Sequence, residues 1–227
     1  MSLKKQVDGI ELTGKIDRID AAEDESGKYI NIIDYKSSSK NIDLNEMISG
    51  VQIQLITYID SIARKEGAMP GAVLYFNLID PIIKSNKNLT DEEIEENIRR
   101  QFRAQGLILA DIKIIKKMDK TLNEGTSDII PVALNKDGTI SKRSTSAVTK
   151  EEFTSLQKTV NKIIKDISNQ ILSGNIDILP AYSLKTKTAS CKFCTYKSIC
   201  GFNANYNTYT YIQNKSKTQI LEEIKGI

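Results

Sequence analysis

The chain has 227 residues, 40% of them hydrophobic and 27% charged, and its formal net charge at pH 7 is +3. These values indicate a folded protein with one substantial core and exclude an intrinsically disordered one. Histidine is absent, which excludes Ser-His-Asp and Cys-His catalytic groups, histidine-ligated zinc and a histidine general base. Any catalysis must therefore use carboxylates, lysine, tyrosine, cysteine or a bound metal ion.

The N-terminal residues carry no targeting signal. The start, MSLKKQVDGIEL, lacks the apolar stretch of a signal peptide, and the longest apolar run, residues 72–83, is interrupted by Asn77, Asp80 and Pro81. Such a run is too short and too broken to span a bilayer. We therefore expect a cytoplasmic protein that makes no use of a membrane. Because a strand pattern begins almost at once, we also expect the chain to be a piece of a larger protein.

Hydrophobic periodicity, capping boxes and turn residues predict a mixture of strands and helices. The chain begins with predicted strands at 9–23 and 28–38, which form an antiparallel hairpin, followed by a helix at 43–67 and a buried strand at 71–79. A helix is predicted after the capping box of Thr90 and Glu93, then β-like runs at 112–115 and 128–134 and a turn at 135–138. The last predicted elements are a long helix from the capping box of Thr149 and Glu152 to Gly174 and a short C-terminal helix at 217–225. This order predicts an α/β (α+β) fold.

Three charged residues of the predicted hairpin form a candidate site. Asp17 lies in GKIDRID on the first strand, and Asp34 and Lys36 lie in IIDYKSS on the second. Residues i and i+2 of a strand point to the same face, roughly 6.6 Å apart, and the hairpin can bring Asp17 beside Asp34. Carboxylates hold Mg²⁺, which polarises a phosphate and lowers the pKa of a bound water, while a lysine stabilises the developing charge. The pattern indicates metal-dependent phosphodiester hydrolysis.

A surface charge pair is the simpler interpretation of Asp-x-Lys taken alone. Against it, Asp34 follows INII in what should be a buried strand, where an ionised carboxylate is costly unless it binds something. Gln54 and Tyr58, spaced i and i+4, lie on one face of the predicted helix, and that face can be directed at the same site. For these two residues, a hydrogen-bonded polar pair with no catalytic role is the alternative.

All three cysteines, Cys191, Cys194 and Cys200, fall within the segment ASCKFCTYKSICGFN. Their spacing is that of a soft-metal site with one ligand missing. Zinc with a fourth ligand from Asp or Glu, a disulfide, and inert buried thiols remain alternatives. The segment also carries lysines that either contact a phosphate backbone or belong to a solvated loop: Lys185, Lys187, Lys192 and Lys197.

Taken in order and spacing, GKIDRID, IIDYKSS and QLITY resemble the RecB-type branch of the PD-(D/E)XK nucleases, in which a Gln-x-x-x-Tyr motif follows the Asp-x-Lys pair. The spacing of the three cysteines after GNIDILP is more specific, because it resembles that of the nuclease domains of AddB-type helicase–nuclease subunits. It implies a restriction-endonuclease-like core over residues 1–180, with a central mixed β-sheet flanked by helices. The cysteine segment and terminal helix, residues 181–227, belong to the same domain.

The resemblance also implies roles for the site residues. It places a metal ion, Mg²⁺ or Mn²⁺, on the carboxylates of Asp17 and Asp34 and the backbone carbonyl of Tyr35. Lys36 corresponds to the catalytic lysine. The helix motif that positions DNA or supports the site corresponds to Gln54 and Tyr58.

By the same resemblance, Cys191, Cys194 and Cys200 are three of the four ligands of a [4Fe–4S] cluster that joins the end of the nuclease domain to the segment before it. In the family, the fourth cysteine and a further histidine or glutamate of the metal site lie upstream of the first hairpin. We therefore expect the isolated chain to lack the cluster and to have an incomplete catalytic centre.

The function that follows is a metal-dependent DNA exonuclease domain of an AddAB-type helicase–nuclease, which cleaves a DNA single strand during double-strand-break repair. Its expected partners are DNA and an AddA-type protein. The motif G-x-x-x-x-G-K-[ST] does not occur, so the ATP-driven motor is expected outside this chain. A non-catalytic DNA-binding or docking module with a nuclease-like fold and a stand-alone RecB-like exonuclease are the alternatives.

Overall fold

The computed structural model describes residues 1–225 except 81, 84, 87 and 145. Its strands are β1 Ser2–Val7, β2 Ile10–Lys15, β3 Arg18–Asp24, β4 Gly27–Lys36, β5 Met69–Asn77, β6 Gln105–Leu109, β7 Gly125–Thr126, β8 Ala133–Leu134, β9 Ala147–Val148, β10 Ala181–Ser183, β11 Thr188–Ala189 and β12 Thr210–Ile212. Its helices are α1 Leu44–Ile48, α2 Gln54–Glu66, α3 Asp91–Gln101, α4 Ile112–Met118, α5 Lys150–Leu172, α6 Lys197–Cys200 and α7 Lys217–Ile224, with a 3₁₀ turn at Ser190–Phe193.

The chain forms two compact units, each assembled from segments that are distant in sequence. The first consists of Met1–Lys4, Thr13–Ile42 and Gln54–Thr154, and the second of Lys5–Leu12, Asp43–Ile53 and Ser155–Ile227. The candidate nuclease residues all belong to the first unit and the cysteines to the second. The boundary near residue 180 that the sequence indicates stays a prediction.

A five-stranded mixed sheet is the centre of the first unit, with the order β3-β4-β5-β6-β9. β4 pairs antiparallel with β3 and parallel with β5, β6 pairs antiparallel with β5, and β9 pairs parallel with β6. Helices flank this sheet, so the predicted α/β fold with a central mixed sheet is confirmed.

The two faces of the sheet carry different side chains because successive residues of a strand point to opposite sides. On one face Ala72 and Leu74 of β5 pack with Ile108 of β6 and Ile115 of α4. Helix α2 packs against β4 and β5 but contributes nothing to that cluster, so it covers the other face. That other face is the one to which Asp34 belongs.

The predicted hairpin of β3 and β4 is confirmed, but its first strand is interrupted. The structure has β2 and β3 in place of one strand over 9–23, with a break at Ile16 and Asp17. Here the chain changes partners: the Ile16 amide donates to the Met1 carbonyl at 2.8 Å, whereas Arg18 is already paired with Ile33. Asp17 therefore lies in the break between two strands and not within one.

The predicted single helix over 43–67 is wrong, since α1 and α2 are separated by residues 49–53. Asp43 does cap α1, accepting a hydrogen bond from the Asn45 amide at 2.9 Å. Glu46 does not complete a capping box, because its carboxylate accepts a hydrogen bond from the Gln52 side chain. Gly50 has φ +79°, a left-handed conformation that ends α1.

The region between α3 and α5 was predicted least well. The β-like run over 112–115 is helical and opens α4, whose start is capped by Asp111 accepting from the Lys113 amide at 2.8 Å. In 128–134 only Ala133–Leu134 is a strand, and β6 was not predicted at all. The turn at 135–138 is confirmed by a 2.9 Å bond from the Gly138 amide to the Asn135 carbonyl.

The remaining helices begin where the capping residues predicted. Thr90 and Glu93 form a reciprocal capping box for α3, and Thr149 and Glu152 form another for α5. The C-terminal helix is α7. Within the described ranges, every helix is too short or too polar to cross a membrane.

Candidate active site

The candidate site lies at the C-terminal end of β4, on the face covered by α2. Asp34 and Lys36 occupy alternate positions of this strand and share that face, with the lysine Nζ 2.5 Å from Asp34 Oδ2. Tyr35 between them points to the opposite face, where its ring packs edge-on against Phe76 at 5.8 Å between centroids. Strand alternation thus places the acid and the lysine on one face and the intervening aromatic ring on the other.

Asp34 is buried, with 4% of its surface exposed. Its Oδ2 atom accepts no hydrogen bond of acceptable geometry from any described residue, although Lys36 Nζ lies beside it as an ion pair. A buried ionised carboxylate is costly unless it is paired, and carboxylate oxygens are the ligands that a hard cation prefers. The donor atoms at this end of β4 therefore fit a divalent ion such as Mg²⁺.

Asp17 reaches the same place from the break between β2 and β3. Its Oδ2 accepts a hydrogen bond from the backbone amide of Tyr35 at 3.1 Å, which is the peptide group that directly follows Asp34. The structure therefore brings the carboxylate of Asp17 to the backbone between Asp34 and Lys36. A second carboxylate thus lies at the same end of β4, where its oxygens can serve as further ligands for a divalent ion.

Gln54 and Tyr58 contact each other on the first two turns of α2. The amide of Gln54 donates to the hydroxyl of Tyr58 at 3.0 Å, and Tyr58 is buried. A Cβ placed on Gly14 of β2 would lie 2.6 Å from the Tyr58 hydroxyl. Tyr58 therefore rests against the strand that leads into Asp17, at a position where a side chain would displace it.

Two residues of β5 lie on the same face as Asp34 and Lys36 and were not singled out from the sequence. Tyr75 is paired with Asp34, and the Nζ of Lys36 lies 5.5 Å from the centre of its ring. Asn77 is paired with Lys36 and exchanges two hydrogen bonds with the backbone of Lys40, at 2.9 and 3.0 Å. The only sequence signal was that these polar or aromatic residues alternate with apolar ones at the end of a buried strand.

The three cysteines, in the second unit, are free thiols. Cys191 lies in the 3₁₀ turn, Cys194 follows it, and Cys200 ends α6. Nowhere among the described residues do three or more Cys, Asp or Glu side chains come together in an arrangement that could hold a metal ion. The chain supplies three thiolates, one fewer than a four-thiolate cluster binds.

Comparison with known proteins agrees with the geometry. The chain is 45% identical over 219 residues to AddB, the B-type subunit of the ATP-dependent helicase/deoxyribonuclease, from Acetivibrio thermocellus, covering 93% of this chain and 19% of the relative. The corresponding proteins from Clostridioides difficile and Bacillus cereus are 44% and 40% identical over 227 and 226 residues, which is 96% and 95% of this chain. The chain thus spans about a fifth of the length of these relatives, 19% in each case.

Residues 1–201 match the PD-(D/E)XK nuclease superfamily, whose members generally use divalent metal ions. The match includes the whole five-stranded sheet, both carboxylates, the lysine and the Gln-x-x-x-Tyr helix. The buried acid–lysine pair on β4 and this match lead to the same conclusion: the chain belongs to the PD-(D/E)XK nuclease superfamily.

Proposed function

We propose that the chain is the nuclease domain of an AddB-type helicase/deoxyribonuclease and hydrolyses phosphodiester bonds of a DNA single strand in a reaction that depends on Mg²⁺ or Mn²⁺. The observation that carries the proposal is the buried Asp34 carboxylate, which has the Lys36 ammonium group 2.5 Å away on the same face and the Asp17 carboxylate bonded to the next backbone amide. A buried acid and lysine with a second carboxylate at the same end of the strand supply the charges that a metal-dependent hydrolase uses.

We assign the residues of the site to metal binding, charge stabilisation and positioning of the DNA. Asp34, Asp17 and the carbonyl of Tyr35 hold the cation, which when bound supplies Lewis-acid stabilisation of the phosphate and a more acidic water. Lys36, positioned over the ring of Tyr75, stabilises negative charge that develops on the nucleophile or the phosphate oxygens. Gln54 and Tyr58 support the site from α2 and position the strand that is cut.

The longer protein that we propose around this chain works with an AddA-type partner in double-strand-break repair, and its motor delivers the single strand. The names of the relatives, which describe a helicase and a deoxyribonuclease, support this context. We also keep the [4Fe–4S] cluster as a proposal for the longer protein, with Cys191, Cys194 and Cys200 as ligands and a fourth thiolate from outside these 227 residues.

The test is cleavage of a 5′-labelled single-stranded DNA by the full-length protein with its partner, in Mg²⁺ and in Mn²⁺. Asp34→Asn and Lys36→Gln should each lower the rate assigned to this nuclease site by at least about 100-fold, because each removes charge that acts on the transition state. Titration calorimetry with Mn²⁺ gives a second measurement on the 227-residue chain, in which Asp34→Asn should weaken binding.

Asp137→Asn is the matched control, since it makes the same chemical change at an exposed carboxylate in the turn after β8. It should leave both the cleavage rate and Mn²⁺ binding unchanged. Wild-type rates in both site variants would rule out this active site and leave a DNA-binding or docking module as the function.

A further inference from the structure

We infer that a polar cavity beside the active site binds a phosphate group of the DNA strand, with Arg143 and Arg103 as its ligands. The inference rests on the nuclease function proposed above and adds a subsite to it. The cavity has a volume of about 430 Å³ and is formed by the N-terminal end of β6, the β7 and β8 strands and the residues before β9. All of these belong to the first unit.

The lining of this cavity suits an anion. Its described residues include two arginines and no Asp or Glu, and the hydroxyl groups of Thr126 and Ser146 also border it. Arginine binds phosphate through several N–H groups in a fixed plane. No carboxylate of the described chain lies within ion-pair distance of either arginine, so the positive charge of the cavity is not neutralised from within.

The guanidinium group of Arg103 is incompletely bonded within the described chain. Nε of Arg103 is buried and donates to no described atom, while Nη1 of the same residue makes a long, 3.5 Å bond to the Ser127 carbonyl. A buried N–H group of a charged side chain without an acceptor is rare and costly. Arg103 therefore has guanidinium N–H groups whose hydrogen bonds within the described chain are missing or long.

Sheet register places the cavity next to the catalytic residues. Gln105, which lines the cavity, is paired with Tyr75, and Tyr75 is paired with Asp34. Asp34 and Gln105 therefore lie at the same end of the sheet, two strand spacings or roughly 10 Å apart, while Val132 and Leu134 of the lining pack in the core cluster on the opposite face. On the other side, Asn41 of the lining follows Lys40, whose backbone is held by Asn77 on the face of Asp34. A strand cut at Asp34 can therefore leave a neighbouring phosphate in the cavity.

The experiment measures binding of a fluorescent single-stranded oligonucleotide to the 227-residue chain by anisotropy, without divalent cations, at several salt concentrations. Arg143 is exposed and its side chain makes no hydrogen bond or ion pair with the described residues, so Arg143→Gln should leave the fold intact. Loss of one phosphate contact should make the slope of log K against log salt shallower by about 0.7. Arg143→Lys, which keeps the charge, should retain most of the wild-type slope.

Arg99→Gln is the matched control, because Arg99 is exposed on α3 and does not line the cavity. The inference is supported if Arg143→Gln alone flattens the slope. It is overturned if Arg143→Gln and Arg99→Gln both keep the wild-type slope, or if the wild-type chain does not bind the oligonucleotide. The nuclease proposal is judged separately, by cleavage with Asp34→Asn in Mg²⁺, so the two can fail independently.

Discussion

Tyr58 and Gly14 show how one small residue can position a side chain of the proposed site. The hydroxyl, Cε1 and Cζ atoms of Tyr58 would lie 2.6, 2.7 and 3.0 Å from a Cβ on Gly14. Real Cβ atoms do not approach other atoms so closely, and the Tyr58 ring is buried, so it has little room to turn away. We regard Gly14 as a positioning residue for the pair of Tyr58 and Gln54.

Gly14→Ala should therefore displace Tyr58 and lower the rate of single-strand cleavage by about 10-fold or more, with a loss of stability in the range of about 1–3 kcal/mol that overpacking causes. Cleavage rate and urea unfolding of the same preparation measure the two effects. If the displaced ring is the cause, Gly14→Ala combined with Tyr58→Ala should be no slower than Tyr58→Ala alone. A full wild-type rate in Gly14→Ala would contradict this role.

The residue pattern predicted part of the candidate site and could not predict the rest. Asp34 and Lys36 are two apart on one strand, so strand alternation alone placed them on one face. The position of Asp17 near Asp34 could be predicted because the two residues belong to one hairpin, and a hairpin is a local structure. Tyr75 and Gln105 lie level with Asp34 only because β5 pairs with β4 and β6 pairs with β5 in the sheet. Strand order is a tertiary property, and the periodicity of one segment carries no information about it.

At the scale of elements, a hydrogen-bonded loop between α4 and β8 shapes the cavity that we assign to phosphate. Asp119 is 3% exposed and accepts bonds from the hydroxyl groups of Ser127 at 2.6 Å and Thr121 at 2.7 Å. Ser127 in turn accepts from the amides of Ile129 and Ile130. This network holds the chain just before residues 131–134, which line the cavity.

The charge on Asp119 makes the stability of this loop depend on pH. Burial alone would raise the pKa of its carboxyl group, but the hydrogen bonds from Ser127 and Thr121 outweigh burial and hold the pKa below its ordinary value. A carboxyl group whose pKa is lower in the folded state stabilises that state above its unfolded pKa of about 3.9. This contribution is lost as the pH falls through the folded pKa.

Asp119→Asn should therefore lower the free energy of unfolding at pH 7 by about 1–3 kcal/mol, because it disturbs a buried hydrogen-bonded carboxylate. The difference from the wild type should shrink as the pH falls below the unfolded pKa of about 3.9 and through the lower folded pKa, because the wild-type carboxyl then also takes up a proton. Urea unfolding at a series of pH values measures it. Asp128→Asn in the same loop, exposed and 3.9 Å from Arg100, is the control and should change little at any pH. An equal loss in both variants would contradict the argument.

The elements that were mispredicted from sequence share a physical cause. In IKIIKK the alternation of Ile112 and Ile114 fits a strand. The Asp111 cap and the three-residue spacing of Ile112 and Ile115, both packed in one core cluster, favour a helix once α4 packs on the sheet. QGLIL is short and contains Gly106, so its pattern was weak. Capping boxes such as those of Thr90 and Thr149 were reliable because each is a local hydrogen-bond exchange.

At the scale of the whole molecule, the second unit is assembled from segments that are far apart in sequence. Lys185, six residues before Cys191, forms an ion pair with Asp43 at 2.7 Å, and Asn45 exchanges hydrogen bonds with the backbone of Lys215 at 3.0 and 2.8 Å. These contacts anchor both ends of the cysteine segment. The three cysteines lie between these two anchored positions.

A [4Fe–4S] cluster therefore needs a ligand beyond the three cysteines present, and the place to look for it is a protein of the full length of the relatives. We expect that protein, reconstituted anaerobically, to bind about four iron and four sulfide ions, as a cluster with four thiolate ligands does. Cys194→Ser should lose most of the iron, because thiolates are the ligands that such clusters require.

Ser190→Ala, one residue before Cys191, is the control for the cluster and should keep the full iron content. Iron and sulfide analysis, together with the visible absorption of the cluster, measure the outcome without relying on nuclease activity. Full-length wild-type protein that takes up no iron would show that the thiols serve another purpose. Zinc bound in its place would favour a site in which a carboxylate joins the three thiolates.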